Sequence, residues 1–388
     1  MSATLTRAGC VPHASAGRYL RAIPPPGLTI GIDARAATEE LAGGGRVVRE
    51  LLRALVARPE PHGYLLFARR RWDERLDGRF RWALSGRRDP WWNVATARAA
   101  TRECDVLLST NSYLTAWFTG LPTVLVVYDM VAFDRSLRPS RRAGAIERAT
   151  LAPALHRAAG AVCISQATAD ALVARYPAAA PLVSVAPLGV SPALRPPDEA
   201  PDLPERFVLA VGTLEPRKNL PRLVDAYAAL PEDLQAANPL IVAGRIGWEA
   251  AETLAALRDL GDRGRLVGPV SDARLAALYE RCSVFCYPSL GEGFGLPLLE
   301  AMAAGAPVVT SDRSSLPEVG GDAVEYVDPT DIRSIASGLR RVLENPSRAV
   351  ELRERGKQRA AKFSWGRTAE IVVGVLEKVA RPQPPAER

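Results

Sequence analysis

Short, unbroken runs of Val, Ile, Leu and Ala alternate with stretches of helical periodicity along nearly all of this 388-residue chain. A strand with one wet face alternates apolar and polar side chains. An unbroken apolar run needs cover on both faces, which a parallel sheet wrapped by helices supplies. The expected class is therefore α/β, doubly wound. In the second half, strands are expected over 207–212, 240–243, 265–267, 283–287, 308–310 and 323–327. Helices are expected over 220–230, 248–260, 272–281 and 297–304, with three more over 331–343, 348–362 and 365–380. The first half repeats the theme less cleanly. Its expected strands are 28–32, 64–67, 106–108, 124–127, 161–164 and 183–185. Its expected helices are 46–56, 141–158 and one running from Ser165, a suitable N-cap, to near Tyr176.

Between the halves, the prolines of 191–204 forbid regular structure and mark a linker. The chain then divides into a disordered lead-in over 1–27, a first domain over 28–190, a linker over 191–205, a second domain over 206–364, and a C-terminal segment over 365–388 that ends in a frayed tail. Two domains suit a length too great for one ordinary core. Two such sheets joined by a hinge put both sets of strand C-terminal ends at one cleft, where ligands of these folds bind.

Composition narrows the classes. The best apolar run, 121–128, is far short of the ~20 residues a membrane span needs. The lead-in mixes arginines with Pro24-Pro25-Pro26 and has no continuous apolar stretch, so no secretory leader is expected. Five cysteines without paired metal-ligand spacing, and only three histidines, favour reduced thiols, no metal and a cytoplasmic setting. Charge is uneven: residues 1–195 hold 26 Arg and no Lys against 15 acidic residues, a net +11, and the rest is net −4. That excess suits an anionic acceptor or peripheral contact with the inner membrane surface, and Arg69-Arg70-Arg71 near Trp72 and Trp82 fits a headgroup interface. Solvated arginines on helix faces account for it more simply. No nucleic-acid motif accompanies the charge, so no nucleic-acid partner is expected.

The chemistry concentrates in Glu292-Gly293-Phe294-Gly295-Leu296-Pro297-Leu298-Leu299-Glu300. Pro297 suits the first turn of a helix, and Gly305 suits its end. Gly293 and Gly295 then leave amides beside the positive end of the helix dipole, a ready anion site. Carboxylates on both sides make sense if the ligand is an anion flanked by hydroxyls, as in a nucleotide-sugar. Glu215-Pro216-Arg217-Lys218-Asn219 follows the strand ending at Gly212, with Asn219 expected to cap the next helix. Arg217 and Lys218 can neutralise a pyrophosphate there. Gly43-Gly44-Gly45-Arg46 opens the 46–56 helix after the first strand, and Gly44 and Gly45 let backbone approach a ligand closely. Tyr128-Asp129 ends a buried strand and faces the cleft or caps the next turn.

Together these segments resemble the retaining glycosyltransferases of family 4, which have the GT-B fold. Residues 211–220 look like the family's donor-phosphate segment, Glu292 and Glu300 fit its Glu-x7-Glu motif, and 301–309 fit the stretch just after that motif. Residues 162–165 and 185–190 also look like family segments, and the resemblance runs from about Leu28 to about residue 380. It implies that Gly212, Thr213, Arg217 and Lys218 meet the donor diphosphate, with Gly293, Phe294, Gly295 and Leu296 beside the donor. Glu292 would bind donor-sugar hydroxyls and Glu300 the ribose. Val270, in 268–270, would line the base, and the last helix would cross back onto the first domain. Two positions depart from the pattern. Tyr128 stands where the family often has His. A tyrosine, with an ordinary pKa of about 10, keeps its proton near neutral pH and cannot shuttle one, so Tyr128 and Asp129 are given positioning roles. Gly45 and Val47 stand where similar enzymes often have Ile and Tyr.

The resemblance implies transfer of a hexosyl unit (mannosyl, glucosyl or amino-sugar) from a nucleoside diphosphate sugar to an acceptor hydroxyl, with retention. The acceptor would be a glycan, a lipid-linked sugar or a small molecule. No metal or other cofactor is expected, because Arg217 and Lys218 can do the neutralising and no Asp-x-Asp motif occurs. The rival readings are a nucleotide-sugar epimerase of the same fold and a non-catalytic sugar-nucleotide binding protein.

Overall fold

The computed structural model describes residues 27–39, 43–191 and 203–380. The expected lead-in up to 26, the linker from 192 to 202 and the tail after 380 lie outside the described residues. Seven parallel strands form the first sheet: β1 (Thr29–Asp33), β2 (Gly63–Ala68), β3 (Phe80–Leu84), β4 (Val106–Ser109), β5 (Thr123–Val127), β6 (Gly160–Cys163) and β7 (Val183–Val185), in the order β3-β2-β1-β4-β5-β6-β7. Six parallel strands form the second: β8 (Val208–Val211), β9 (Leu240–Ala243), β10 (Gly264–Gly268), β11 (Val284–Tyr287), β12 (Val308–Ser311) and β13 (Glu325–Val327), in the order β10-β9-β8-β11-β12-β13. Both sheets reverse their winding beside their first strand, between β1 and β4 and between β8 and β11. Loops diverge at such switch points and leave a crevice. This is the two-domain GT-B arrangement.

The central strands are buried on both faces, as their unbroken apolar runs require: Ile30, Ile32, Leu107, Leu108, Val124 and Leu125 have no exposed surface. Amphipathic helices supply the cover. The Gly44–Val56 helix buries Val47, Val48, Leu51, Leu52 and Leu55 on one stripe. Ser165 caps its helix as expected, its Oγ accepting from the Thr168 amide at 3.0 Å. The last helix, Trp365–Ala380, packs on the Gly44–Val56 helix and on β4, β5, β6 and β7. His62 fixes it there, its Nε2 lying 3.0 Å from Glu377 Oε1 while Nδ1 accepts from the Leu28 amide at 3.1 Å. One apolar cluster consequently runs through both domains.

Among the elements of the first domain not expected from periodicity are a strand, β3, and a long helix, Trp91–Glu103. Strand β3 is a short sheet edge whose Arg81 and Leu84 are exposed. The Trp91–Glu103 helix buries Asn93 and Thr96 alongside Trp92, Ala97 and Ala100, so its inner face has no apolar rhythm. Of its buried polar groups, Asn93 is satisfied within the fold, whereas the Trp92 Nε1 has no hydrogen-bond partner among the described residues. Arg35 stacks 3.8 Å above the Trp92 ring, and Asn93 bridges Asp89 and Thr115 at 2.9 and 3.0 Å. The four described cysteines are buried and unpaired, and burial pushes the Cys104, Cys163 and Cys282 thiols up to about 12. Among the described residues, no helix is long and apolar enough to cross a membrane.

Candidate active site

A cavity of about 500 Å³ lies between the facing strand ends of the two sheets. The start of the Gly44–Val56 helix contributes Gly43, Gly44 and Arg46, the loop after β4 Thr110 and Asn111, and the loop after β5 Tyr128 and Asp129. From the second domain come Gly212, Thr213, Glu215, Arg217 and Lys218 after β8, and Glu292, Gly293, Phe294, Gly295, Leu296 and Glu300 after β11. Two expected residues lie outside this wall. Gly45 is buried inside the start of its helix, and Val270 is half-buried against the core.

Local backbone chemistry explains how the loops hold their shape. Gly295 sits at φ 98° immediately before the Leu296–Ala303 helix, Pro297 occupies its first turn, and Gly305 at φ 77° ends it. Only glycine adopts such angles freely. Asn219 departs from its expected role. It takes the left-handed conformation at φ 59° and makes no side-chain cap. Its Nδ2 instead donates to the Pro288 and Pro329 carbonyls at 3.0 and 2.6 Å, tying the loop after β8 to those after β11 and β13. The turn at Gly293 is also fastened across the cleft, because its carbonyl accepts from Ser165 Oγ at 2.5 Å and Thr168 Oγ1 at 3.0 Å.

Glu292 is the hub of a buried ion network. Its Oε1 accepts from Lys218 Nζ at 2.6 Å and from the Tyr287 hydroxyl at 2.7 Å, and its Oε2 pairs with Arg217 Nη1. Arg217 Nε reaches Glu215 at 2.6 Å. Burial pushes the Glu292 carboxyl up, but Arg217 and Lys218 outweigh it and hold it at about 2. Burial, then the nearby Arg217, pulls the Lys218 ammonium below its usual value. Glu215 and Glu300 are both raised by burial despite their cation partners. A depressed carboxylate adds stability that is fully present above its unfolded value of 4.5 and is lost as pH falls through its folded value of about 2. Melting temperature is therefore expected to drop across that acid window, and Glu292→Gln should flatten that part of the curve. An unchanged slope in the variant would contradict the network.

Asp129 faces the cavity and also caps the next turn, its Oδ1 accepting from the Val131 amide at 2.9 Å. A second cavity of about 390 Å³ adjoins the first and shares Thr110, Asn111, Tyr128 and Asp129. Its outer wall includes Glu147, whose carboxyl burial and then Asp129 push up to about 7. Among the described residues, no group of three or more His, Cys, Asp and Glu side chains is gathered to hold a metal ion.

The sequence reading passed over Arg46, Glu215, Tyr287, Thr110 and Asn111 as site residues. Arg46 had a usable signal, since it directly follows the glycine triplet at a strand's C-terminal end. Tyr287 is the last residue of β11 and reads as core until Lys218 is brought onto it.

The model for Glycosyltransferase Family 4 matches residues 41–194, and that for Glycosyl transferases group 1 matches residues 195–362. The chain is 43% identical over 162 residues to O-antigen chain mannosyltransferase B of Escherichia coli, covering 41% of this chain and 42% of that protein. It is 32% identical over 219 residues to MMP alpha-(1->4)-mannosyltransferase of Mycolicibacterium hassiacum, covering 55% and 53% respectively. The alignments thus span about half the length of the curated relatives, or less. Sucrose-phosphate synthase from Thermosynechococcus elongatus shares the fold, with a TM-score of 0.72 at 21% identity over 90% of this chain and 98% of that one. The two matched segments meet end to end, one on each sheet, and between them carry all the loops that wall the cavity: the chain belongs to the family 4 glycosyltransferases of the GT-B fold.

Proposed function

We propose that this protein transfers a mannosyl unit from a nucleoside diphosphate sugar to an acceptor hydroxyl, with retention at the anomeric carbon. The observation that carries the reading is the Arg217–Lys218–Glu292 network beside the Gly293–Gly295 turn, with Glu300 on the same helix. The mannosyl assignment rests on what the two mannosyltransferase relatives transfer.

Arg217 and Lys218 carry fixed positive charge where the diphosphate would lie, and a preorganised cation is strongest in a site closed to water. As the bond from the anomeric carbon to the phosphate oxygen breaks, negative charge grows on the diphosphate, and those cations stabilise it. A new bond forms from the anomeric carbon to the acceptor oxygen on the same face, and the acceptor proton passes to the departing phosphate. Glu292 stays anionic throughout and accepts hydrogen bonds from the sugar hydroxyls. Glu300 does the same for the ribose. Tyr128 and Asp129 position the reactants, and neither has to move a proton.

The acceptor, a glycan, lipid-linked sugar or small molecule, enters through the second cavity. Peripheral contact of the basic first domain with an anionic membrane surface would suit a lipid-linked acceptor on the cytoplasmic side. Because the cations lie in the chain itself, transfer needs no metal.

The test is an assay of the full chain with GDP-mannose, UDP-glucose and the ADP- and dTDP-hexoses over an acceptor panel, with the product's anomeric configuration read by NMR. Transfer with retention, undiminished by EDTA, is expected. Activity lost to EDTA and restored by Mg²⁺ or Mn²⁺ would overturn the metal-free reading. Donor turnover without acceptor would point to an epimerase, and donor binding with no turnover to a non-catalytic binder.

A further inference from the structure

Arg46 belongs to the first domain, yet its guanidinium ends on the second. Nη1 donates to Glu300 Oε1 at 2.8 Å, and Nη2 pairs with Asp272. The side chains of Arg46 and Glu300 are only 11% and 5% exposed. The other Glu300 oxygen accepts from the Tyr279 hydroxyl at 3.3 Å. Burial already pushes the Glu300 carboxyl above its usual value while Arg46 pulls the other way. A buried carboxylate keeps its charge only while a cation stays with it.

We propose that Arg46 is a positioning residue of the donor site: reaching across from the first domain, it keeps Glu300 ionised and aimed at the ribose diol, so that ribose recognition is complete only when the two domains are together. This rests on the reading of Glu300 as the ribose ligand. The lone pairs allow it. Each carboxylate oxygen accepts about two hydrogen bonds. Arg46 takes one on Oε1 and Tyr279 one on Oε2, which leaves one on each for the two ribose hydroxyls. A protonated Glu300 could not accept from both. The planar fork of arginine also spans Glu300 and Asp272 together, which a lysine ammonium cannot do as well.

The test compares binding of UDP, GDP and ADP with their 2′-deoxy counterparts by calorimetry, in the wild type, Glu300→Gln, Arg46→Met and Arg46→Lys. Wild type is expected to prefer the ribose form by about 10-fold or more, the size of a hydrogen bond to a charged group. Glu300→Gln and Arg46→Met should both lose that preference, with the double variant no worse than either alone, and Arg46→Lys should retain part of it. A purely structural role for Arg46 would lower the melting temperature and leave the preference intact. If Arg46→Met bound both forms with the wild-type ratio, or weakened both equally, the proposal would be overturned. Should Arg46→Met fail to fold, Arg46→Lys decides, since an undiminished preference in it overturns the fork argument. Wild type binding none of the three diphosphates would bring down the proposed function, and this inference with it. A preference lost in Glu300→Gln alone would leave the function standing and remove only the role of Arg46.

Discussion

Replacing Lys218 with Met is expected to slow transfer by about two orders of magnitude or more while leaving a folded protein. The ammonium is buried, 2.6 Å from Glu292 and 2.6 Å from the Tyr287 hydroxyl, and 4.8 Å from that ring's centre. In the proposed reaction it lies, with Arg217, where negative charge would grow on the diphosphate. Loss of a single preorganised donor to such charge lowers kcat about 10²–10³-fold. Met keeps most of the stem's volume beside Gly212, so packing changes little. Stability should fall toward the lower end of the roughly 3–5 kcal/mol that breaking a buried pair costs, because Arg217 remains on Glu292. Steady-state kinetics with saturating donor, together with a thermal melt, would check both. Turnover within ten-fold of wild type in a folded variant would remove Lys218 from the diphosphate site.

Gly293→Ala should be nearly as damaging, for a steric reason. A Cβ there would lie 1.9 Å from the Tyr128 carbonyl oxygen and 2.8 Å from Asp129 Cβ. Most of that obstruction is backbone of the facing domain, which cannot rotate aside. Nor can the Gly293 peptide retreat cheaply, because Ser165 and Thr168 hold its carbonyl. The two domains must part, moving Tyr128 and Asp129 away from the Gly293–Gly295 turn. Displacements of about 1 Å in reacting geometry cost on the order of 10² in rate. The expected result is a fall of at least that size in kcat/KM with a lowered melting temperature. Gly291→Ala is the control. A Cβ there meets only the side chain of Leu137, at 2.7 Å, which can adopt another rotamer. Equal behaviour of the two variants would refute the close approach at Gly293.

Much of the fold was legible because its signals are local. The boundaries of β7, β9 and the Asp272–Arg281 and Trp365–Ala380 helices agree with their apolar periods. Periodicity failed at β3 and the Trp91–Glu103 helix, where an edge position and a buried polar stripe erase the rhythm. The glycines and carboxylates of the candidate site were equally visible, since a helix start after a glycine turn follows from backbone sterics. Asn219 was misread because its sequence context, at a helix start, is that of a cap. Its left-handed backbone turns the amide toward carbonyls of two other loops.

The sequence alone determined most of the alternation of strands and helices, the turn at Gly293–Gly295 and the nearness of Arg217 to Lys218, all set by forces acting within a few residues. Only the tertiary structure decided which charges meet. Glu292 finds Arg217 and Lys218 from 75 and 74 positions earlier because β11 lies beside β8. Glu300 finds Arg46, 254 positions away in the other domain, because the two sheets face each other across one cleft. Pairing at such distances depends on strand order and domain closure, and a buried carboxylate takes its cation from whichever element those place within reach.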